Sequence, residues 1–169
     1  MARPMALDVN PDPRVPADTT PHPRIVRLID HWRGLAPGPG LLPGRRHFDP
    51  MQVPGLLPNL WLVDVVRGTP NRYRYRLVGS ALYDSGAPMR AGMFIDEMGD
   101  LIDQVAAHAS YDHVVSSREA EWRKGPPIIK HLSFIASLER VKLPLAEDGR
   151  TVDMILGMTI FYLLDGKIR

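Results

Sequence analysis

RYRYRLVGSAL, residues 72–82, alternates arginine with tyrosine at a strict period of two. Successive side chains of an extended chain point to opposite faces, so Tyr73, Tyr75 and Leu77 share one side and Arg72, Arg74 and Arg76 the other. This pattern predicts a strand with an aromatic face toward a core and a charged face toward water. Just upstream, LWLVDVV (residues 60–66) is apolar on both sides and reads as a buried strand, and RGTPN between the two supplies a turn. The pair predicts a β-hairpin.

Working outward, residues 83–99 have no periodicity, and glycine, proline and methionine dominate them. Asp100 is read as the cap of a helix carrying Leu101, Ile102, Val105 and Ala109 and ending near Ser117. Three further strands are expected, within residues 128–136, at 140–145 and at 152–163, with EDG (147–149) as a tight turn before the last. Pro144 lacks a backbone donor, which places its strand at an edge or a bulge. Upstream of the hairpin, Ile25, Leu28, Ile29 and Trp32 fall at helical spacing behind Pro23, and Gly34 closes that helix. The expected fold class is therefore α+β: a five-stranded antiparallel sheet with helices on one face, plus an N-terminal amphipathic helix.

With 169 residues, the chain fits one domain, assigned to residues 24–169. Residues 1–23 contain six prolines and few apolar anchors and are expected to form an extended arm. No cysteine is present, which excludes disulfides, thiolate metal sites, cysteine nucleophiles and a flavin–cysteinyl adduct. No apolar run reaches the roughly 18 residues of a membrane span, and no signal-peptide core is visible, so a soluble, cytoplasmic protein without membrane contact is expected. A formal charge of +2 points to no strongly acidic partner.

Taken together, LLPNLWLVDVV, YRYRLVGSALYD and RVKLPLAEDGRTVDMILG resemble the signature blocks of a proteobacterial family of stand-alone PAS-like proteins, and the likeness spans roughly residues 32–161. The resemblance implies a five-stranded antiparallel sheet, frequent dimerisation and a bacterial sensory or signal-transduction role without established catalytic residues. In other PAS domains a small molecule sits between sheet and helices. Five residues are selected here as lining such a pocket: Tyr75, Met98, Val105, Trp122 and Met158. Methionine suits an adaptable apolar wall.

The last strand raises a second question. Met154, Leu156, Met158 and Ile160 form one face, yet Ile155, Phe161 and Leu163 opposite them are apolar too, so both sides must be covered. The middle helices cover only one. The helix bearing Ile25, Leu28 and Trp32, together with the same face of a second subunit, is expected to cover the other, giving a homodimer. Output would then pass through a partner protein.

Other chemistry is weaker. His108 and His113 are five residues apart, which matches no helical metal pair; either is the candidate for haem ligation, a reading disfavoured against ordinary surface histidine. No cofactor is named. No serine lies in a G-x-S-x-G context, so no enzyme is expected. The rival reading is nucleic-acid binding through Arg72, Arg74 and Arg76, spaced roughly 7 Å apart along the strand and supported by Arg45 and Arg46. Without a lysine cluster, a solvated strand face is preferred.

Overall fold

The computed structural model describes residues 7–9 (backbone only), 19–127, 129 and 132–169. Most of the proline-rich stretch 1–23 lies outside the described residues, as does His131. Within that stretch Leu7–Val9 forms a short strand, β1, so this part of the expected arm is held by pairing. Helix α1 spans Pro23–Gly34, with proline in its first turn and the His22 side chain accepting a hydrogen bond from the Arg24 N–H; Ile25, Leu28, Ile29 and Trp32 are buried. Three 3-10 turns follow, at Arg45–His47, Pro50–Gln52 and Pro54–Asn59. The hairpin is β2 (Leu60–Val66) and β3 (Arg72–Val78). A short helix α2 (Ser80–Asp84), a 3-10 segment (Ile95–Leu101) and helix α3 (Gln104–Ser117) precede β4 (Ala120–Gly125), β5 (Ile135–Leu145) and β6 (Met154–Leu163).

The sheet order is β1-β4-β5-β6-β2-β3. β4, β5, β6, β2 and β3 form a five-stranded antiparallel sheet, and β1 adds three parallel residues beside β4. Trp61 meets Tyr75 and Tyr111 edge-on, and Tyr73 stacks on Tyr111 at 4.9 Å, which fixes one face of the sheet against α3. The opposite face meets α1, where Trp32 Nε1 donates to the Pro144 carbonyl at 2.9 Å. Pro144 sits within β5 between two strands, but beyond Lys142, the last residue of β5 that β4 pairs. Its carbonyl and its missing N–H share the flank facing α1, so no ladder bond is lost there.

Three expectations change. The strand sought within 128–136 lies earlier, at β4, and β5 is one continuous strand covering the place of the second. The segment AEWRKG looks solvated, with three charged residues in six, but Glu121 faces α3 and is buried through an ion pair. The cap of α3 is Asp103, whose carboxylate accepts from the Ala106 N–H at 3.0 Å, rather than Asp100. Finally, alternation along β6 is as expected but the faces are exchanged. Thr159 and Phe161 look toward α3, while Ile160 and Tyr162 join Glu139 on the α1 side. A period of two tells which residues share a face, not which helix that face meets.

The face expected to be covered by the α1 helix together with a second subunit is covered by α1 within the chain. Ile25, Leu28, Trp32, Val141, Leu143, Leu156, Met158 and Ile160 are all buried, and Phe48 packs its ring against His31 of α1. An apolar sheet face no longer calls for a dimer. No helix among the described residues is long and apolar enough to cross a membrane.

Candidate functional site: a cavity with a basic end

Between the sheet and α3 lies a cavity of about 30 Å³. Trp61, Tyr75 and Phe161 come from the sheet, Tyr111 and Ala107 from α3, and Met89, Ile95 and Met98 from the segment before it. Trp61 reaches this position because Gly157 lies directly beneath its indole; a Cβ on residue 157 would collide with the ring. Thr159 Oγ1 accepts from Trp61 Nε1 at 3.0 Å and fixes the ring's orientation. The cavity as it stands has room for about two water molecules. A larger guest would need the Met89 and Met98 side chains in the wall to move aside.

The cavity is apolar except at one end, where Arg140 joins the wall. A second space of about 20 Å³ continues from there, lined by Ala107, Tyr111 and Arg140 again and by Asp103, Ser110, Arg123 and Lys142. The sheet register explains this end: Arg123 lies opposite Arg140, and Glu121 opposite Lys142. Lys142 is buried and donates to Glu121 Oε1 at 2.5 Å and to Ser110 Oγ, while Ser110 donates to the same Glu121 oxygen at 2.6 Å. Burial, reinforced by the charge of Arg140, pushes the Lys142 ammonium down to about 8 despite Glu121. Burial alone would raise the Glu121 carboxyl, but the charge and hydrogen bond of Lys142 and the bond from Ser110 hold it below its ordinary value.

Two polar groups here are left over. The Tyr111 hydroxyl is buried and has no partner at good hydrogen-bond geometry among the described residues, although the Tyr75 hydroxyl lies near enough to interact with it. Burial raises its pKa well above the ordinary tyrosine value, with the nearby Tyr75 adding to the shift and Arg140 opposing it. Arg140 is partly buried, and its guanidinium forms no hydrogen bond or ion pair among the described residues. Buried polar groups are nearly always partnered, so the Tyr111 hydroxyl needs a reason, whereas the partly buried Arg140 guanidinium is within reach of water.

Ser110 beside a lysine of lowered pKa has the composition of a nucleophile–base pair. Its proton, however, is held by Glu121, and the pair lies in the narrower of the two spaces. It serves as a buried charge network. No group of three metal-ligating side chains is found among the described residues.

Of the five residues chosen from sequence, Tyr75 and Met98 line the cavity. Val105 is 82% exposed and borders an outer groove with Arg72, Asp96 and His108, because the later start of α3 turns it outward. Trp122 is buried on the α1 side, its Nε1 donating to Glu139, and Met158 lies on that side too. Among residues assigned to the covered face, Ile25, Leu28 and Trp32 are there, but Phe161 is a cavity wall, Ile155 shares its face, and Leu163 is only partly buried. His108 sits against the Tyr73 ring in the outer groove and His113 borders another with Arg67 and Arg150, so neither reaches the cavity.

The arginine stripe carries its own counter-ions. Arg74 and Arg76 pair with Asp64 at 3.1 and 2.7 Å, while Arg72 pairs with Asp96 at 2.7 Å and lies over the Phe94 ring. Asp153 takes no part in the stripe and accepts from the Glu147 N–H at 2.9 Å. Arg46 pairs with Glu147 at 2.5 Å and Arg45 donates to the Phe48 carbonyl. A phosphate would have to displace these carboxylates.

Sequence reasoning missed Trp61, Gly157, Tyr111 and Arg140. A lone glycine inside an apolar strand, MILGMTIF, is a signal of close approach and pointed to the Trp61 contact. No family model matches the chain, and neither does any curated protein or solved structure.

Proposed function

We propose that the protein is a non-enzymatic, PAS-like sensory or regulatory module that binds a small molecule between its sheet and helices and signals through a protein partner as a homodimer. The antiparallel sheet, with a helical segment inserted between its first hairpin and its last three strands, supports the PAS-like reading. The observation that carries the binding role is the cavity beside α3, whose walls include the buried Tyr111 hydroxyl and a guanidinium with no hydrogen bond or ion pair among the described residues. Assembly is supported by a cluster at one end of the sheet, where Phe134, Leu164 and Ile168 are exposed around the Leu164-to-Phe134 backbone bond.

A fragment screen by ligand-observed NMR tests the binding role, with Ala107→Leu as the blocked control. Ala107 borders both spaces, so the larger side chain fills them. Fragments that bind the wild type and are lost in Ala107→Leu are expected. Hits that persist in the variant, or no hits at all, would remove the cavity as a binding site.

A further inference from the structure

The polar end of the cavity has a charge pattern that narrows the ligand class; this inference rests on the cavity being the binding site. Arg123, Arg140 and Lys142 face α3 against two carboxylates, Glu121 and Asp103. Glu121 is committed to Lys142 and Ser110, and Asp103 accepts from the Ala106 N–H that begins α3. Neither arginine has an ion pair among the described residues. Of the charged residues only Arg140 lines both the apolar chamber and the basic space among the described residues, and Tyr111, which also lines both, brings its hydroxyl to the same wall.

A guanidinium presents paired N–H donors that match the two oxygens of a carboxylate, and a neighbouring hydroxyl adds a third donor. The chamber beyond offers the edges and faces of Trp61, Tyr75 and Phe161, which suit a planar or short apolar body. Its small size disfavours a long chain, and even a single-ring body requires the methionine walls to move. A doubly charged phosphate would need both arginines, and Arg123 borders only the narrow extension.

We infer that the cavity takes a small aromatic or short-chain monocarboxylate, its carboxylate held by Arg140 and the Tyr111 hydroxyl and its apolar body against Trp61, Tyr75 and Phe161. Groups with no strong internal partner among the described residues then become the recognition groups of the complex.

Calorimetric titration with benzoate, its neutral isostere benzamide and inorganic phosphate separates the possibilities. Benzoate is expected to bind at least about tenfold more tightly than benzamide, since a hydrogen-bonded charge is worth roughly that factor or more. Arg140→Met should remove this preference while leaving benzamide unchanged, and Tyr111→Phe should weaken benzoate several-fold without loss of the ring stack. Should Arg140→Met fold poorly, Arg140→Lys keeps the charge but not the fork and should still cost affinity. Equal binding of benzoate and benzamide, or benzoate binding indifferent to both variants, would overturn the inference and leave the cavity standing. Phosphate binding as tightly as benzoate would overturn the role of the apolar chamber. If neither organic probe binds, the inference fails, and the fragment screen with Ala107→Leu decides separately whether the cavity binds anything.

Discussion

Glu139 and Arg140 are neighbours on β5 and point to opposite faces of the sheet. Glu139 is wholly buried, and its carboxylate accepts from Trp122 Nε1 at 2.9 Å, the His22 N–H at 2.5 Å and the Tyr162 hydroxyl at 2.6 Å, with Lys124 Nζ 3.7 Å away. Every donor around it belongs to the chain. Arg140 faces α3 with no hydrogen bond or ion pair among the described residues, beside the Tyr111 hydroxyl. A saturated polar group anchors structure, and here it fastens the start of α1 to the sheet. A partly buried charge with no ion pair among the described residues is left to water, and is available to a group from outside the chain.

This contrast is open to attack by mutation. Glu139→Ala removes one acceptor from three donors and leaves a void, so it should destabilise by about 3 to 5 kcal/mol in urea unfolding followed by circular dichroism. A loss below about 1 kcal/mol would mean that the α1 face is not the rigid half. Next in size, Lys142→Met strands Glu121 beneath α3 and should cost roughly 3 kcal/mol, while the double variant Glu121→Leu/Lys142→Met should recover most of it. Failure of the double variant to recover would show that shape, not charge pairing, governs that site.

Protonation provides a third handle. Lys142 titrates near 8 when folded and at 10.5 in its ordinary state, so between these values the unfolded chain binds more protons and stability rises with pH. The rise should fade above about 10, because the Tyr75 and Tyr111 hydroxyls are raised when folded and their ionisation favours the unfolded chain. Glu121 acts at the other end: its lowered carboxyl stabilises above its ordinary value of 4.5 and that contribution is lost as pH falls through the folded value. The groups facing Lys142 are Glu121 and Arg123 on β4, Arg140 on β5, and Ser110 and Tyr111 on α3. Melting temperatures from pH 7 to 10 should show the rise in the wild type and a flatter profile in Lys142→Met. The smallest effect on stability is expected from Arg140→Met, within about 1 kcal/mol, because no hydrogen bond or ion pair among the described residues is lost. A large loss would identify Arg140 as structural after all.

The same contrast shows where sequence reading succeeds. The β2–β3 hairpin and β6 were legible because Tyr73 and Tyr75, or the long apolar run ending at Leu163, follow local periodicity. β4 was not, because Glu121 and Arg123 are charged yet face inward, and only the long-range pairing with Lys142 makes that tolerable. The site suffered most. Tyr75 and Met98 were found, but Met158 and Phe161 were exchanged between faces, and the Ser110–Glu121–Lys142 network joins residues from three elements that no local pattern links. Arg140 reads in sequence as an ordinary strand arginine; its place in the walls of both spaces sets it apart.

The methionine methyl carbons report both faces at once, and their NMR shifts during titration with benzoate, and then with indole as a neutral probe, are the most direct test. Met89 and Met98 line the cavity, whereas Met158 is buried on the α1 side. A ligand site on the α3 face predicts that Met89 and Met98 shift while Met158 stays in place. Shifts confined to Met158, or none with either probe, would contradict it.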